Sequence, residues 1–305
     1  MVGYFPSYRN LADVPAVKFK MCNVVNYAFF SVNSSGLLTV NNPALVPQVV
    51  STAKAAGTKI MVSINEAANG NFKNMAATAD GRNAFVRDVM AKVRQFSFDG
   101  VDVDWEFPST SDGTHLTFTA LMKELSDSLH LGAKYYLTAA VTAGKYAGGY
   151  RDAVQSEVFG YVDFFNIMAY DDFNTTVPYR HHSDYTLAVT CLNYWLNTRG
   201  MPASKCVLGF PAYGRPSGIT QTGNTMAFKE ILAKGGSAQN DSARVTTAAY
   251  PTGFTIYYNG QPTVKNKTML AKQRANGVMM WEKWHDATDG NSLLKAACDT
   301  IGRTY

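Results

Sequence analysis

Phe98-Asp99-Gly100-Val101-Asp102-Val103-Asp104-Trp105-Glu106-Phe107-Pro108 is the stretch whose reading decides the fold. It places acidic residues at 99, 102, 104 and 106 in a run that otherwise has the character of a buried strand. Side chains two apart on a strand share a face. Asp102, Asp104 and Glu106 therefore point one way, and Val101, Val103 and Trp105 the other. Like charges at this spacing repel, and burial raises carboxyl pKa values further. Three readings account for such a stretch: a solvated edge strand, an all-oxygen site for calcium or magnesium, or the acid/base site of a sugar-cleaving or similar hydrolase. The strongly apolar opposite face weighs against the first, since aspartate is a poor strand former. Glu106, last in the series and nearest the strand's C-terminal end, is the natural acid.

Working outward, short apolar strands alternate with amphipathic helices. Strands are expected at Val2-Gly3-Tyr4-Phe5, 23–30, 59–64, in the carboxylate stretch, and at 136–142, 162–170, 206–210 and 277–281. Helices are expected over 43–56, 81–96, 115–131, 185–198 and 293–301, with a short one near 152–159. Leu116, Leu121, Leu125 and Leu129 would form the buried side of the third of these, while 65–80 reads as a loop. Eight strands separated mainly by helices predict an α/β fold, a (β/α)8 TIM barrel with residues 1–305 as a single domain. A doubly wound sheet would want a glycine-rich loop after the first strand, and Pro6-Ser7-Tyr8-Arg9 is not one. Tyr213 to Thr268 reads as an elaborated connection between strands seven and eight, with a helix at 225–233 and a strand pair near 254–258.

Barrel active sites lie at the C-terminal ends of the strands. That rule selects Asp102, Asp104 and Glu106, then Met168-Ala169-Tyr170-Asp171-Asp172, Trp281-Glu282, Pro211-Ala212-Tyr213 and Tyr4. Met168 and Tyr170 share one parity, so the Tyr170 hydroxyl is either a donor beside the carboxyls or a core tyrosine bonded to backbone. Trp281 is either core or a platform for a pyranose ring. Asp171 is a better site candidate than Asp172.

Composition narrows the function. The chain has 305 residues, 46% hydrophobic, 17% charged and 12% aromatic, with 28 basic against 23 acidic residues. The basic residues are scattered, which excludes a nucleic-acid footprint. No apolar run of about 20 residues offers a membrane span. Cys22, Cys191, Cys206 and Cys298 form no CxxC pair; Cys191 and Cys206 are near enough in sequence to pair, and buried thiols are an equal reading. The histidines form no HExxH set, and no GxSxG elbow is present. A chain that starts directly in a core strand reads as a mature, trimmed product.

Taken together, these motifs resemble glycoside hydrolase family 18, the chitinase family. FDGVDVDWEFP is similar to its DxxDxDxE signature, here Asp99, Asp102, Asp104 and Glu106; MAYD at 168–171, GFPAYGR at 209–215, GVMMWE at 277–282, GYFPSY and NYAFF are similar to its other strand-end motifs. The resemblance implies a retaining endo-type chitinase with no metal or organic cofactor. Glu106 would be the general acid and Asp104 the residue that steers the substrate's acetamido group, whose carbonyl forms an oxazolinium-like intermediate. Asp102 would influence the charge of Asp104, with Ser63 and Tyr4 as neighbours. Tyr170 would donate to the acetamido carbonyl, Asp171 would contact hydroxyls, Trp281 would floor the cleavage subsite, and Met168 and Tyr213 would line it.

The implied partner is chitin or N-acetylglucosamine oligosaccharides, with no nucleic acid and no membrane. The resemblance further implies a secreted monomer, with room for a carbohydrate-binding module outside the chain. An endo-β-N-acetylglucosaminidase acting on N-glycan cores and a non-catalytic chitin-binding lectin are the alternatives. Two departures stand out. The family's Ser-x-Gly-Gly is Ser63-Ile64-Asn65-Glu66 here. The connection after strand seven is also short for the extra α+β domain of many members, which implies a shallower, open groove and internal cleavage.

Overall fold

The computed structural model describes residues 1–132, 135–216 and 225–305. Eight strands run in parallel: β1 (Val2–Pro6), β2 (Val24–Val32), β3 (Lys59–Glu66), β4 (Gly100–Val103), β5 (Tyr136–Val141), β6 (Phe164–Ile167), β7 (Cys206–Pro211) and β8 (Gly277–Trp281). Each pairs with the next, and β8 pairs with β1, so the sheet closes into the expected barrel with no open edge. Helices fill most of the connections, among them Ala79–Phe96, Thr114–Leu129 and Gln261–Arg274.

Local chemistry sets β4 in place. Helix Ala79–Phe96 starts where the Thr78 side chain accepts a hydrogen bond from the Gly81 N–H at 3.1 Å, and it stops at Ser97, whose φ of 57° is left-handed. Asp99 then exchanges bonds with Ile60 of β3: its N–H donates to the Ile60 carbonyl at 2.7 Å, and its carboxylate accepts the Ile60 N–H at 2.8 Å. That double tie fixes the register, and with it which side chains of the next residues face inward. Val101, Val103 and Trp105 pack outward against the helix layer, where the Trp105 ring stacks on Phe72 at 5.1 Å. Asp102 faces the barrel interior.

The two ends of the chain meet in a buried ion pair. Lys18, in the short helix Val17–Lys20, bonds Asp286, the Ala287 carbonyl and Ser292, while Asp286 also accepts the Leu293 N–H at 2.7 Å.

Several expectations are corrected. β4 ends at Val103, so Asp104 and Glu106 lie beyond it. β6 spans only Phe164–Ile167, leaving Met168 to Asp171 past its end. The expected loop at 65–80 contains helix Asn71–Ala76, whose apolar Phe72, Met75 and Ala76 are buried. Leu121, Leu125 and Leu129 are buried as expected, but Leu116 is exposed: it lies five residues before Leu121, off their face, whereas Phe118, three before, takes the buried position. The four cysteines are free and buried, so Cys191 and Cys206 are not paired. The connection after β7 is more ordered than a strand pair: Tyr213–Pro216, Met226–Ala227, Ser242–Thr247 and Tyr250–Tyr257 form a four-stranded antiparallel sheet, with helix Phe228–Ala233 beside it. Residues 217–224 of that connection lie outside the described residues.

Candidate active site

Asp102 sits on β4 inside the barrel with no exposure to solvent. A buried carboxylate needs donors, and four converge on it from four strands. Tyr4 of β1 and Ser63 of β3 donate to Oδ2 at 2.7 and 2.8 Å; Thr138 of β5 and Asn166 of β6 donate to Oδ1 at 2.6 and 3.2 Å. Burial raises the Asp102 pKa, and these hydrogen bonds pull it part of the way back.

Asp104 lies one step nearer the strand ends. Its backbone N–H donates to the Ile64 carbonyl at 2.8 Å, which continues the register of β4 past the strand. The side chain is buried, and Oδ1 has no hydrogen-bond partner. Burial, then the charges of Glu106 and Asp102, raise its pKa well above the ordinary carboxylate range. Glu106 is exposed at the rim, yet partial desolvation by the surrounding cleft and then the charge of Asp171 raise its pKa as well. A general acid needs such a shift to hold its proton near neutral pH.

Asp104 and Glu106 open into a cavity of about 560 Å³. Tyr4, Met168, Tyr170, Asp171, Tyr213 and Trp281 line it too, so the structure brings these predicted residues together. Asp102 and Ser63 are not on its wall but beneath it. The Trp281 ring stacks on Phe29 at 5.6 Å and leans on Tyr4 at 5.3 Å, which fixes the indole at the cavity's base. Its neighbour Glu282 turns away, fully buried, and accepts from Arg9 at 3.1 Å and the Trp284 N–H at 2.7 Å. A smaller cavity, about 260 Å³, shares Glu66, Glu106 and Phe107 with the first and extends past them to Lys73, Asp112 and Tyr150.

Asp171 has a left-handed φ of 65°. Its carboxylate accepts from the Tyr213 hydroxyl at 2.6 Å and from Arg215 Nε and Nη2 at 2.5 and 3.0 Å, while its backbone N–H donates to His182 Nδ1 at 3.3 Å, a nitrogen that lies 3.6 Å from the carboxylate. Burial opposes its ionisation, but His182, Arg215 and Tyr213 outweigh that and hold the carboxyl below the usual range. Asp172 is engaged elsewhere, by Lys145, Tyr146 and Arg180.

Sequence reasoning missed Thr138, Asn166, Phe29, Arg215 and His182. Asn166 carried a signal, being a polar residue in an otherwise apolar strand and in phase with Met168. Asp99, grouped with the other acids by proximity, is a register residue at the opposite end of β4.

A family model for glycosyl hydrolases family 18 matches residues 1–286. The chain is 30% identical to chitotriosidase-1 of Mus musculus over 225 residues, 64% of this chain and 47% of that protein. It superposes on the crystal structure of a chitinase from Bacteroides thetaiotaomicron with a TM-score of 0.84 at 24% identity, covering 100% of this chain and 97% of that one. It also superposes on a chitinase from Cycas revoluta solved in complex with (GlcNAc)3, with a TM-score of 0.81 at 24% identity and 99% of each chain covered. The chain spans about half the length of the first curated relatives it matches.

Proposed function

The chain belongs to glycosyl hydrolases family 18, and on that premise we propose that it is an endo-acting chitinase. It would hydrolyse β-1,4-linked N-acetylglucosamine polymers with retention, residues 1–305 acting as one catalytic unit. The observation that carries this reading is Asp104: a buried carboxyl with an unpartnered Oδ1, opening into the same cavity as Glu106, Tyr170 and Trp281. An acetamido N–H is a donor of the size and polarity that such an acceptor calls for.

In this mechanism the sugar ring rests on Trp281 with its acetamido group turned toward Asp104 and Tyr170. Glu106 gives its proton to the glycosidic oxygen as the bond from that oxygen to the anomeric carbon breaks. The acetamido carbonyl oxygen supplies the electron pair that forms the new bond to the anomeric carbon, giving an oxazolinium. Asp104 accepts the N–H and stabilises the positive charge, and Asp102 beneath it tunes the charge of Asp104. The leaving chain departs with the proton. Water then attacks the anomeric carbon, gives its proton to the Glu106 carboxylate, and reopens the ring with configuration retained.

Two cavities that share Glu106 support internal cleavage, since together they give a chain room to continue past the acid. The test is a product profile on defined N-acetylglucosamine oligomers, with the first anomer followed by proton NMR. Internal cleavage with the β-anomer released first is expected. An α-anomer released first overturns substrate assistance. Release of glycans from a glycoprotein with no cleavage of chitin oligomers assigns the N-glycan activity instead.

A further inference from the structure

The smaller cavity shares Glu66, Glu106 and Phe107 with the larger one and is lined by neither Trp281 nor Asp104, so a chain seated on Trp281 and running past Glu106 would place its leaving part there. Its walls come from the end of β3 and the helix that follows it, and from the loops after β4 and β5: Glu66 and Lys73, then Phe107 and Asp112, then Tyr150. The Phe107 and Tyr150 rings lie 6.0 Å apart and offer an apolar side. The charged side is unequal. Lys73 Nζ is bound to Asp112 at 2.9 Å, so that pair is neutral as a unit. Glu66 is different. It is half-buried, its Oε2 accepts the Phe72 N–H at 3.0 Å, and among the described residues no cation lies within ion-pair distance of it. It lines both cavities beside Glu106.

We infer that Glu66 makes the leaving-group side of this site selective for a cationic sugar, a glucosamine unit with a free amine at C2, and that the chain acts on partly deacetylated chitin. The inference rests on the chitinase reading and deepens it. Substrate assistance demands an acetamido group only on the sugar over Trp281, because only that carbonyl attacks. The sugar on the far side of Glu106 supplies the departing oxygen and needs none. An ammonium there meets an unneutralised carboxylate in a partly closed cavity, where charge pairing outweighs its value in open water. Helix Asn71–Ala76 holds Glu66 in place through the bond to Phe72, so the carboxylate meets the ligand without having to be ordered first.

The experiment compares two tetrasaccharides, fully acetylated and with glucosamine on the leaving side of the central bond, and locates the cut by mass. The wild type should favour the glucosamine substrate in kcat/KM by about three- to tenfold, less at 1 M salt. Glu66→Gln keeps an oxygen for the Phe72 N–H and removes the charge; it should bring the ratio to about one. Glu66→Lys should invert it. A ratio that is the same in wild type and Glu66→Gln overturns the inference and leaves the chitinase reading standing. A wild type that cleaves neither substrate overturns both.

Discussion

The Tyr4 hydroxyl donates to Asp102 Oδ2 at 2.7 Å across 98 positions of sequence, and Asn166 donates to both of them, at 3.1 Å to the hydroxyl and 3.2 Å to Oδ1. β1, β4 and β6 are thereby joined inside the barrel by one polar knot directly beneath Asp104. Burial and the charges of Asp102 and Asp104 raise the Tyr4 pKa well above its ordinary value, so the phenol stays a donor. The site is an assembly of strand ends whose electrostatics are set from below.

Glu106→Gln should retain binding of N-acetylglucosamine oligomers and lower kcat by about 10²–10⁴-fold, the range for loss of a general acid. Steady-state kinetics together with calorimetric titration separate the two effects. Near-normal turnover would remove Glu106 from its role.

Asp171→Asn should move the alkaline limb of the kcat/KM profile to lower pH. The charge of Asp171 helps to raise the Glu106 pKa. Without it the acid loses its proton at lower pH, and activity, which needs that proton, falls earlier as pH rises. A limb that stays in place while activity drops would make Asp171 a binding residue only.

Asp104→Asn should make the protein more stable at neutral pH while removing activity. The folded-state pKa of Asp104 is raised. Above the unfolded value, near 4, the unfolded chain gives up this proton while the folded chain keeps it or bears a buried charge. Stability is thus lost as pH rises through that window, and the asparagine avoids the loss. Urea midpoints from pH 3.5 to 8 should diverge with increasing pH and meet at the acid end. Parallel curves would contradict this.

Lys18→Met should destabilise the fold by about 3–5 kcal/mol, because it leaves Asp286 buried without its cation. The pair is 2% and 1% exposed and joins the first helix to the segment before the last. A change below about 1 kcal/mol in chemical denaturation would show that the backbone N–H donors to Asp286 suffice.

Much of the site was legible because a strand's period of two is a local property. Three acids at spacing two, opposite Val101, Val103 and Trp105, announced a polar interior face before any pairing was known. Strand ends announced Tyr170, Asp171 and Trp281 in the same way. Leu116 departs from the expected buried row because it stands five residues before Leu121, a spacing that leaves the face shared by Leu121, Leu125 and Leu129.

The sequence by itself determined the alternation of strands and helices, the inward parity of the carboxylates, and the family signature. Periodicity and motif are short-range, so one chain suffices to show them. The tertiary structure alone decided that Asp99 sets register while Asp102 is held by four donors. It also decided that Asp104 keeps an unpartnered oxygen, that Arg215 and His182 hold Asp171, and that Glu66 lines a cavity with no cation within ion-pair distance among the described residues. Each of these depends on strands that are distant in sequence meeting across a closed barrel, and hydrogen bonding and desolvation act through that distance in space.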